Sequence, residues 1–372
     1  MAWLASALLA ALAAGCAVPP PSPTIQAPSA IPTSVRPTVT PSAPAATPTE
    51  HVTVLTVVSH DSFEVSAELV AAFEAEHAIE VALVKAGTTE QALAFIIDSA
   101  EAASADILLG LDGLSLDAAL DHDLFLEAEL ASLARVPEAF LVDPDSGLVP
   151  YGYSDLCLSY DASYFDRAAA PPPTGLSALT EPAQRGLFVM PDPATSREGL
   201  AFLASTVSVL GQDEYLQFWQ DLATNDVLVV ADWPTAYFEA YTLYGGTRPI
   251  LLSYTTVPAG ESYFGDPSLA EPPSRILAAD GSCYRLVEYG GVLTSTVNPG
   301  LARAWIEYML TPAVQADLAT SMLLLPVNPA AQLPEDFTAA LTIPATYISL
   351  DPTIISQNRE RWIEEWSALM DG

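Results

Sequence analysis

The chain has 372 residues, with 12 Lys and Arg against 46 Asp and Glu, and carries a formal net charge of -34 at pH 7. A surface this anionic repels phosphates, which argues against a nucleic-acid partner and against docking on anionic lipid through basic residues. The length is typical of two domains, and the 51% of hydrophobic residues suffices for a sizeable core.

The N-terminus has the pattern of an export signal. The first 15 residues are nearly all apolar and end directly before Cys16. This run is too short to span a bilayer and is typical of the apolar part of a secretory signal. The stretch Leu12-Ala-Ala-Gly-Cys16 resembles a bacterial lipobox, in which the signal is cut before a Cys that becomes lipidated. We predict a signal peptide over 1–15 and a lipid anchor on Cys16; the alternative is an ordinary signal peptide followed by a stray Cys.

Residues 16–50 are dominated by Pro, Ala, Ser and Thr. Such a segment buries too little apolar surface to offset the entropy of ordering it, and Pro-rich chain tends to be extended. We therefore predict a disordered, lipid-anchored linker that tethers a globular part to the outer face of the bacterial cell membrane.

From residue 51 onward, the pattern alternates between strands and helices. The predicted strands of the first half cover 52–58, 79–84 and 105–110, and the predicted helices lie near 69–73 and over 88–103. Continuous apolar strands separated by helices are typical of a parallel sheet, in which ligands sit at the carboxyl ends of the strands. Asp61, Ser62 and Asp112 fall at that edge. Each Asp could bind a ligand or cap a helix.

The second half repeats this α/β pattern, so that two lobes with a cleft between them are expected. The predicted strands cover 186–190, 228–231, 249–254 and 284–289, and the predicted helices cover 199–210, 299–310 and 356–370. Thr195 and Ser196 precede the first of these helices, where free N–H groups and hydroxyls suit an alcohol or a phosphate.

Cysteine and histidine usage argues against a metal centre. Cys157 and Cys283 each lie in an apolar run, and we expect two buried free thiols rather than a disulfide. The four His have no metal-ligand spacing among them. We expect neither a metal nor a cofactor.

Taken together, these stretches resemble the thiamine-binding subfamily of periplasmic solute-binding proteins of ABC importers, which have the two-lobed type II binding-protein fold. The resemblance follows the family's order over nearly all of 53–366. The matching stretches are Leu55-Thr-Val57, Asp61-Ser-Phe63, Ala105-Asp-Ile-Leu-Leu-Gly-Leu-Asp112, Val149-Pro-Tyr-Gly-Tyr153, Asp192-Pro-Ala-Thr-Ser196, Gly199-Leu200, Trp233-Pro-Thr-Ala-Tyr237, Leu252-Ser-Tyr-Thr-Thr256, Pro258-Ala259, Pro326-Val327 and Arg361-Trp-Ile-Glu-Glu-Trp366.

The resemblance implies three chain crossings between the lobes. Lobe one would hold 51–150 and 285–324, and lobe two would hold 151–284 and 325–372. It also implies a non-enzymatic, monomeric receptor that closes around a small ligand and delivers it to an ABC permease in the membrane.

Thiamine carries a cationic thiazolium, and aromatic ring faces attract such a cation. The resemblance implies that Trp233, Tyr237 and Tyr254 line the pocket, with Tyr151 and Tyr153 at the first crossing as further candidates. The alternative for each ring is packing in the core or at a hinge.

The resemblance also implies that the region of Thr195 and Ser196 receives the hydroxyethyl or phosphate end of the ligand. The neighbouring Arg197 would complement a phosphorylated form.

Where the family commonly carries aromatic residues, this chain has His60, Glu64-Val-Ser66 and Ser321-Met-Leu-Leu-Leu325. Another small cationic or heterocyclic solute is therefore an alternative ligand. Ferric ion is a third, although the adjacent tyrosines of some ferric-binding relatives are absent. The alternative from a different class, an extracellular hydrolase, lacks a G-x-S-x-G motif.

Overall fold

The computed structural model describes residues 52–98, 104–266, 270–279 and 281–370. The predicted signal peptide, the linker and Cys16 lie outside these residues. None of the helices in the described ranges is both long enough and apolar enough to cross a membrane.

Strands and helices alternate as the sequence pattern predicts. The strands are β1 Val54–Ser59, β2 Glu80–Lys85, β3 Ile107–Asp112, β4 Leu148–Asp161, β5 Phe188–Pro191, β6 Leu228–Val230, β7 Ile250–Tyr254, β8 Ser274–Leu277 and β9 Tyr284–Val292. The helices are α1 Ala67–His77, α2 Thr89–Asp98, α3 Leu116–Leu120, α4 Ala162–Ala168, α5 Arg197–Leu210, α6 Tyr215–Thr224, α7 Trp233–Thr235, α8 Val257–Phe264, α9 Pro299–Met309, α10 Pro312–Ser321, α11 Glu335–Ala340 and α12 Pro352–Met370.

The strands join into one mixed sheet of order β2-β1-β3-β9-β4-β7-β5-β6, with β8 paired to β4. The pairs at the two ends of the sheet are parallel, as predicted. In the middle, β4 and β9 pair antiparallel to their neighbours, which the local pattern did not predict. The central strands β4 and β9 therefore link the two parallel ends of the sheet.

The buried side chains form two large hydrophobic cores. The first collects side chains from β1, β2, β3, α1, α9 and α10. The second collects side chains from β5, β7, α5, α6 and α12, including Trp362 and Trp366. β4 contributes to both cores, and Phe337, from the segment assigned to lobe two, packs in the first. The lobe boundaries given above stay a prediction.

Cys157 and Cys283 form a disulfide, so the expectation of two free thiols is wrong. β4 and β9 pair antiparallel with Leu156 opposite Tyr284, and this register brings the two Cys side by side, with their Cα atoms 4.3 Å apart. The separation of 126 residues along the chain hides this pairing from the sequence.

Candidate ligand-binding site

The rings of Trp233, Tyr237 and Tyr254, which we call the aromatic cluster, lie together in the structure. Asp232 caps α7 by accepting a hydrogen bond from the backbone N–H of Thr235 at 2.8 Å. The chain continues into a wider π-turn over Ala236–Ala240, which stacks Tyr237 on Trp233 with centroids 4.7 Å apart and planes at 13°. Tyr254, at the end of β7, places its ring 5.8 Å from that of Trp233.

The polar atoms of these rings are bound to neighbouring side chains. Trp233 Nε1 donates to Ser253 Oγ at 3.2 Å, and Tyr237 Oη donates to Glu261 Oε1 at 2.8 Å. Tyr254 Oη donates to Glu198. Burial and the nearby carboxylates raise the pKa of both tyrosines well above the usual range. Both hydroxyls therefore stay protonated, and the rings offer neutral faces rather than phenolates.

A second group of side chains, the charged cluster, consists of His60, Asp112, Arg197 and Glu288. Asp112, the last residue of β3, lies opposite Glu288 of β9 in the sheet. Arg197, the first residue of α5, places Nε 3.4 Å from Asp112 Oδ2 and donates from Nη1 to Glu288 Oε1 at 3.1 Å. His60 Nε2 lies 3.5 Å from Glu288 Oε2, to which Tyr151 Oη donates at 2.8 Å.

The pKa values of the two carboxylates in the charged cluster are shifted in opposite directions. Burial raises the pKa of Asp112, and the attraction of Arg197 only partly opposes this rise. Burial acts on Glu288 in the same sense, but Arg197, His60 and Tyr151 together lower its pKa to about 2. Glu288 is therefore held ionised by its partners, whereas burial disfavours the ionised form of Asp112.

Glu198 links the two clusters. It follows Arg197 in α5 and accepts the hydroxyl hydrogen of Tyr254. Three carboxylates therefore surround the guanidinium of Arg197 beside the aromatic rings, those of Glu198, Asp112 and Glu288. Such an arrangement suits a flat, positively charged ligand.

The hydroxyls of Thr195 and Ser196, just before α5, are bound within the protein. Ser196 Oγ accepts from the backbone N–H groups of Glu198 at 3.1 Å and Gly199 at 3.3 Å, as an N-cap does. Thr195 Oγ1 donates to the carbonyl of Ala231 at 2.8 Å. Arg197, expected to complement a phosphorylated ligand, is instead engaged by Asp112 and Glu288.

The structure gives other surroundings to the remaining predicted site residues. Asp61 is exposed and accepts from the backbone N–H of Gly87 at 2.9 Å, while Ser62 is exposed in the same turn. Tyr153 is buried beside Phe140, with ring centroids 4.8 Å apart. The Arg285 guanidinium lies 4.4 Å from the centre of the Tyr153 ring.

Glu198, Glu288 and His60 were not among the predicted site residues. Glu288 had a usable signal, because it is a carboxylate inside a run that is apolar apart from Arg285, Tyr284-Arg-Leu-Val-Glu-Tyr289. A charged side chain in a buried strand has to find a partner. Glu198 carried no comparable signal, since acidic residues are ordinary in the first turn of a helix.

Two surface cavities share no lining residue with either cluster. One of about 550 Å³ is lined by side chains such as Phe73, Arg135 and Tyr308, and one of about 280 Å³ by side chains such as Tyr164 and Gln184. We place the ligand site at the two clusters because the directional polar groups and the ring faces converge there.

Comparison with known proteins shows which family the chain belongs to. Residues 68–345 match the family of bacterial extracellular solute-binding proteins. The thiamine-binding periplasmic protein of Salmonella typhimurium is 32% identical over 84% of this chain and 92% of the relative. That of Escherichia coli is 33% identical over the same shares.

Solved structures give the fold. A periplasmic thiamin binding protein matches 86% of this chain and 97% of its own with a TM-score of 0.73 and 29% identity. A ferric iron-binding protein of Mannheimia haemolytica has a TM-score of 0.66 at 15% identity over 86% of this chain and 98% of its own. The chain thus has the predicted two-lobed type II fold of periplasmic binding proteins.

Solute-binding proteins hold their ligand without converting it, so this chain is not an enzyme and the hydrolase alternative is excluded. It belongs to the bacterial extracellular solute-binding proteins.

Proposed function

We propose that this chain captures thiamine or a thiamine phosphate in the cleft between its lobes and delivers it to an ABC permease. The observation that carries the proposal is the aromatic cluster, in which Trp233, Tyr237 and Tyr254 meet beside Glu198. The names of the thiamine-binding relatives point to the same ligand.

The physical argument rests on the charge of the thiazolium. A ring face attracts a desolvated cation by about 0.5–2 kcal/mol, and two faces together fix its orientation. The carboxylate of Glu198 beside the rings adds attraction at short range, and the net charge of -34 favours approach of a cation from solution.

Another small cationic or heterocyclic solute is the second candidate, because the charge and the rings do not depend on the pyrimidine. Ferric ion fits less well. Tyrosine ligands bind iron as phenolates, and the pKa values of Tyr237 and Tyr254 are raised by burial and by Glu261 and Glu198.

The ligand is tested on the full chain purified in detergent, by calorimetry and by Trp fluorescence. The probes are thiamine, thiamine monophosphate, hydroxymethylpyrimidine, choline and ferric citrate. Saturable binding of thiamine or its phosphate with a change in Trp fluorescence supports the proposal. Saturable binding of choline or ferric citrate, with none of thiamine or its phosphate, contradicts it.

We propose further that the protein acts as a monomer anchored to the outer face of the bacterial cell membrane through a lipid on Cys16. Metabolic labelling with palmitate tests the anchor. The label should be present in the parent chain and absent from the Cys16→Ala variant. A variant that still takes up label contradicts the anchor.

A further inference from the structure

Arg197 joins the two hydrophobic cores through a single side chain. It begins α5, whose Leu200, Phe202 and Leu203 pack in the second core. Its partner Asp112 ends β3, whose residues Ile107 to Leu111 include four side chains of the first core. The ion pair therefore connects elements that pack in different halves of the molecule.

The ion pair is sheltered from solvent. The side chain of Arg197 is 21% exposed, and those of Asp112 and Glu288 are 2% and 5% exposed. Exposed ion pairs contribute little, whereas separating a buried pair leaves uncompensated charges. Burial acts to lower the pKa of Arg197, but Asp112, Tyr254 and Glu288 raise it well above its usual range, so the guanidinium stays charged.

The position of Arg197 is fixed by its own helix. Ser196 caps the N-terminus of α5, and the helix is packed along its length in the second core. The backbone of Arg197 therefore moves with the second half of the molecule, and opening lengthens or breaks the contact with Asp112. Opening would leave Asp112 beside Glu288 without the countercharge of Arg197.

Two buried atoms without a hydrogen-bond partner mark the same place. Arg197 Nε and His60 Nε2 are both buried without a hydrogen-bond partner among the described residues, although each faces a carboxylate at 3.4–3.5 Å. These contacts are electrostatic rather than well-directed hydrogen bonds.

A weaker link of the same kind lies nearby. Arg359 of α12 contacts Glu90 of α2 at 3.3 Å, and Ser356 donates to Asp117. Both members of the Arg359–Glu90 pair are about a third or more exposed, at 32% and 48%, and so this pair is screened by water.

We propose that Arg197 is an interlobe latch, whose contacts with Asp112 and Glu288 hold the lobes together in the ligand-free protein and thereby set ligand affinity. The effect on affinity rests on the proposed function, but the latch itself does not. Because a receptor's apparent affinity scales with the populated fraction of its binding-competent state, loss of the latch weakens binding by the factor by which that fraction falls.

The test measures the distance between the two halves of the full chain by double electron–electron resonance between two spin labels. Spin labels are placed at Glu68→Cys in α1 and Gln217→Cys in α6, which are both exposed, in a Cys16→Ala background with the disulfide Cys157–Cys283 intact. The comparison includes Arg197→Gln, Asp112→Asn and their double variant. Arg248→Gln is the matched control, because Arg248 pairs with Asp226 within the second half.

In the absence of ligand, the latch predicts that Arg197→Gln raises the ratio of long to short distances about ten-fold or more, and that Asp112→Asn raises it by a similar factor. The double variant should show nearly the same ratio as either single variant, because both substitutions remove the same contact. Arg248→Gln should leave the distribution unchanged. An unaltered distribution in a folded Arg197→Gln, or in Asp112→Asn if Arg197→Gln does not fold, overturns the proposal. A thiamine titration of the same variants then reads the affinity: if the parent chain does not bind thiamine, the proposed ligand fails while the distances still decide the latch.

Discussion

The aromatic cluster and the charged cluster lie near each other but are built differently. The aromatic cluster comes from two short stretches of the second half, and Trp233 and Tyr254 remain half-buried. The charged cluster draws His60, Asp112, Arg197 and Glu288 from four separate parts of the chain and is buried more deeply. Half-buried rings can receive a ligand, whereas buried charges have to be matched within the protein. We infer that the first cluster mainly serves binding and the second mainly serves stability.

The largest expected effect is on stability. Glu288→Gln should lower the free energy of unfolding at pH 7 by about 3 kcal/mol, because it removes a buried carboxylate that Arg197, His60 and Tyr151 all contact. Urea unfolding followed by circular dichroism measures this. Glu271→Gln is the control, since Glu271 pairs with Arg275 but is 75% exposed, and should cost under about 1 kcal/mol. Equal losses in both variants would show that the charged cluster has no special role in stability.

The second prediction concerns acid pH. Because the pKa of Glu288 is depressed from 4.5 to about 2, its contribution is present above pH 4.5 and is lost as the pH falls towards 2. This amounts to at most about 3 kcal/mol. The raised pKa of Asp112 acts in the opposite sense, since its destabilising ionisation is relieved as the pH falls. Unfolding free energies between pH 6 and pH 2.5 should therefore fall less steeply in Glu288→Gln than in the parent chain, and an equally steep fall would contradict the assignment.

The third prediction separates binding from stability. Trp233→Ala should weaken thiamine binding by about 1–3 kcal/mol, because it removes a ring face at the centre of the aromatic cluster. The loss of unfolding free energy should be smaller than in Glu288→Gln. Calorimetry and urea unfolding measure the two quantities. Tyr263→Ala is the control: this partly exposed ring contacts Phe264 and Phe337 instead, and its removal should not change affinity.

The smallest effect is expected from Tyr254→Phe. This change keeps the ring face and removes the hydrogen bond to Glu198, so that affinity and stability should each change by about 0.5–1.5 kcal/mol at most. A loss of affinity as large as that of Trp233→Ala would mean that the hydroxyl, and not the ring face, carries the interaction.

The sequence predicts those parts of the molecule that depend on neighbouring residues. Strand runs such as Val54–Ser59 and the aromatic stretch from Trp233 to Tyr237 are set by local spacing, and the structure forms both. The antiparallel pairing of β4 with β9 is not local, and neither is the disulfide between Cys157 and Cys283 that follows from it.

The charged cluster escaped prediction for the same reason. Arg197 and Glu288 are separated by 91 residues, and their contact depends on how the central strands meet α5. Asp112 could be placed at a strand end from sequence, but its neighbours could not. Thr195 and Ser196 look equally suitable for a ligand and for a helix start, and in the structure Ser196 caps α5 while Thr195 binds the carbonyl of Ala231.

The most direct measurement compares thiamine with 3-deazathiamine, which has the same shape but a neutral ring in place of the thiazolium. Calorimetric titration of the full chain with both compounds isolates the contribution of the charge. If the cation is attracted to the aromatic cluster and to the carboxylates, thiamine should bind at least about ten-fold more tightly than 3-deazathiamine. Equal affinities for the two compounds would contradict a site built to hold a cation.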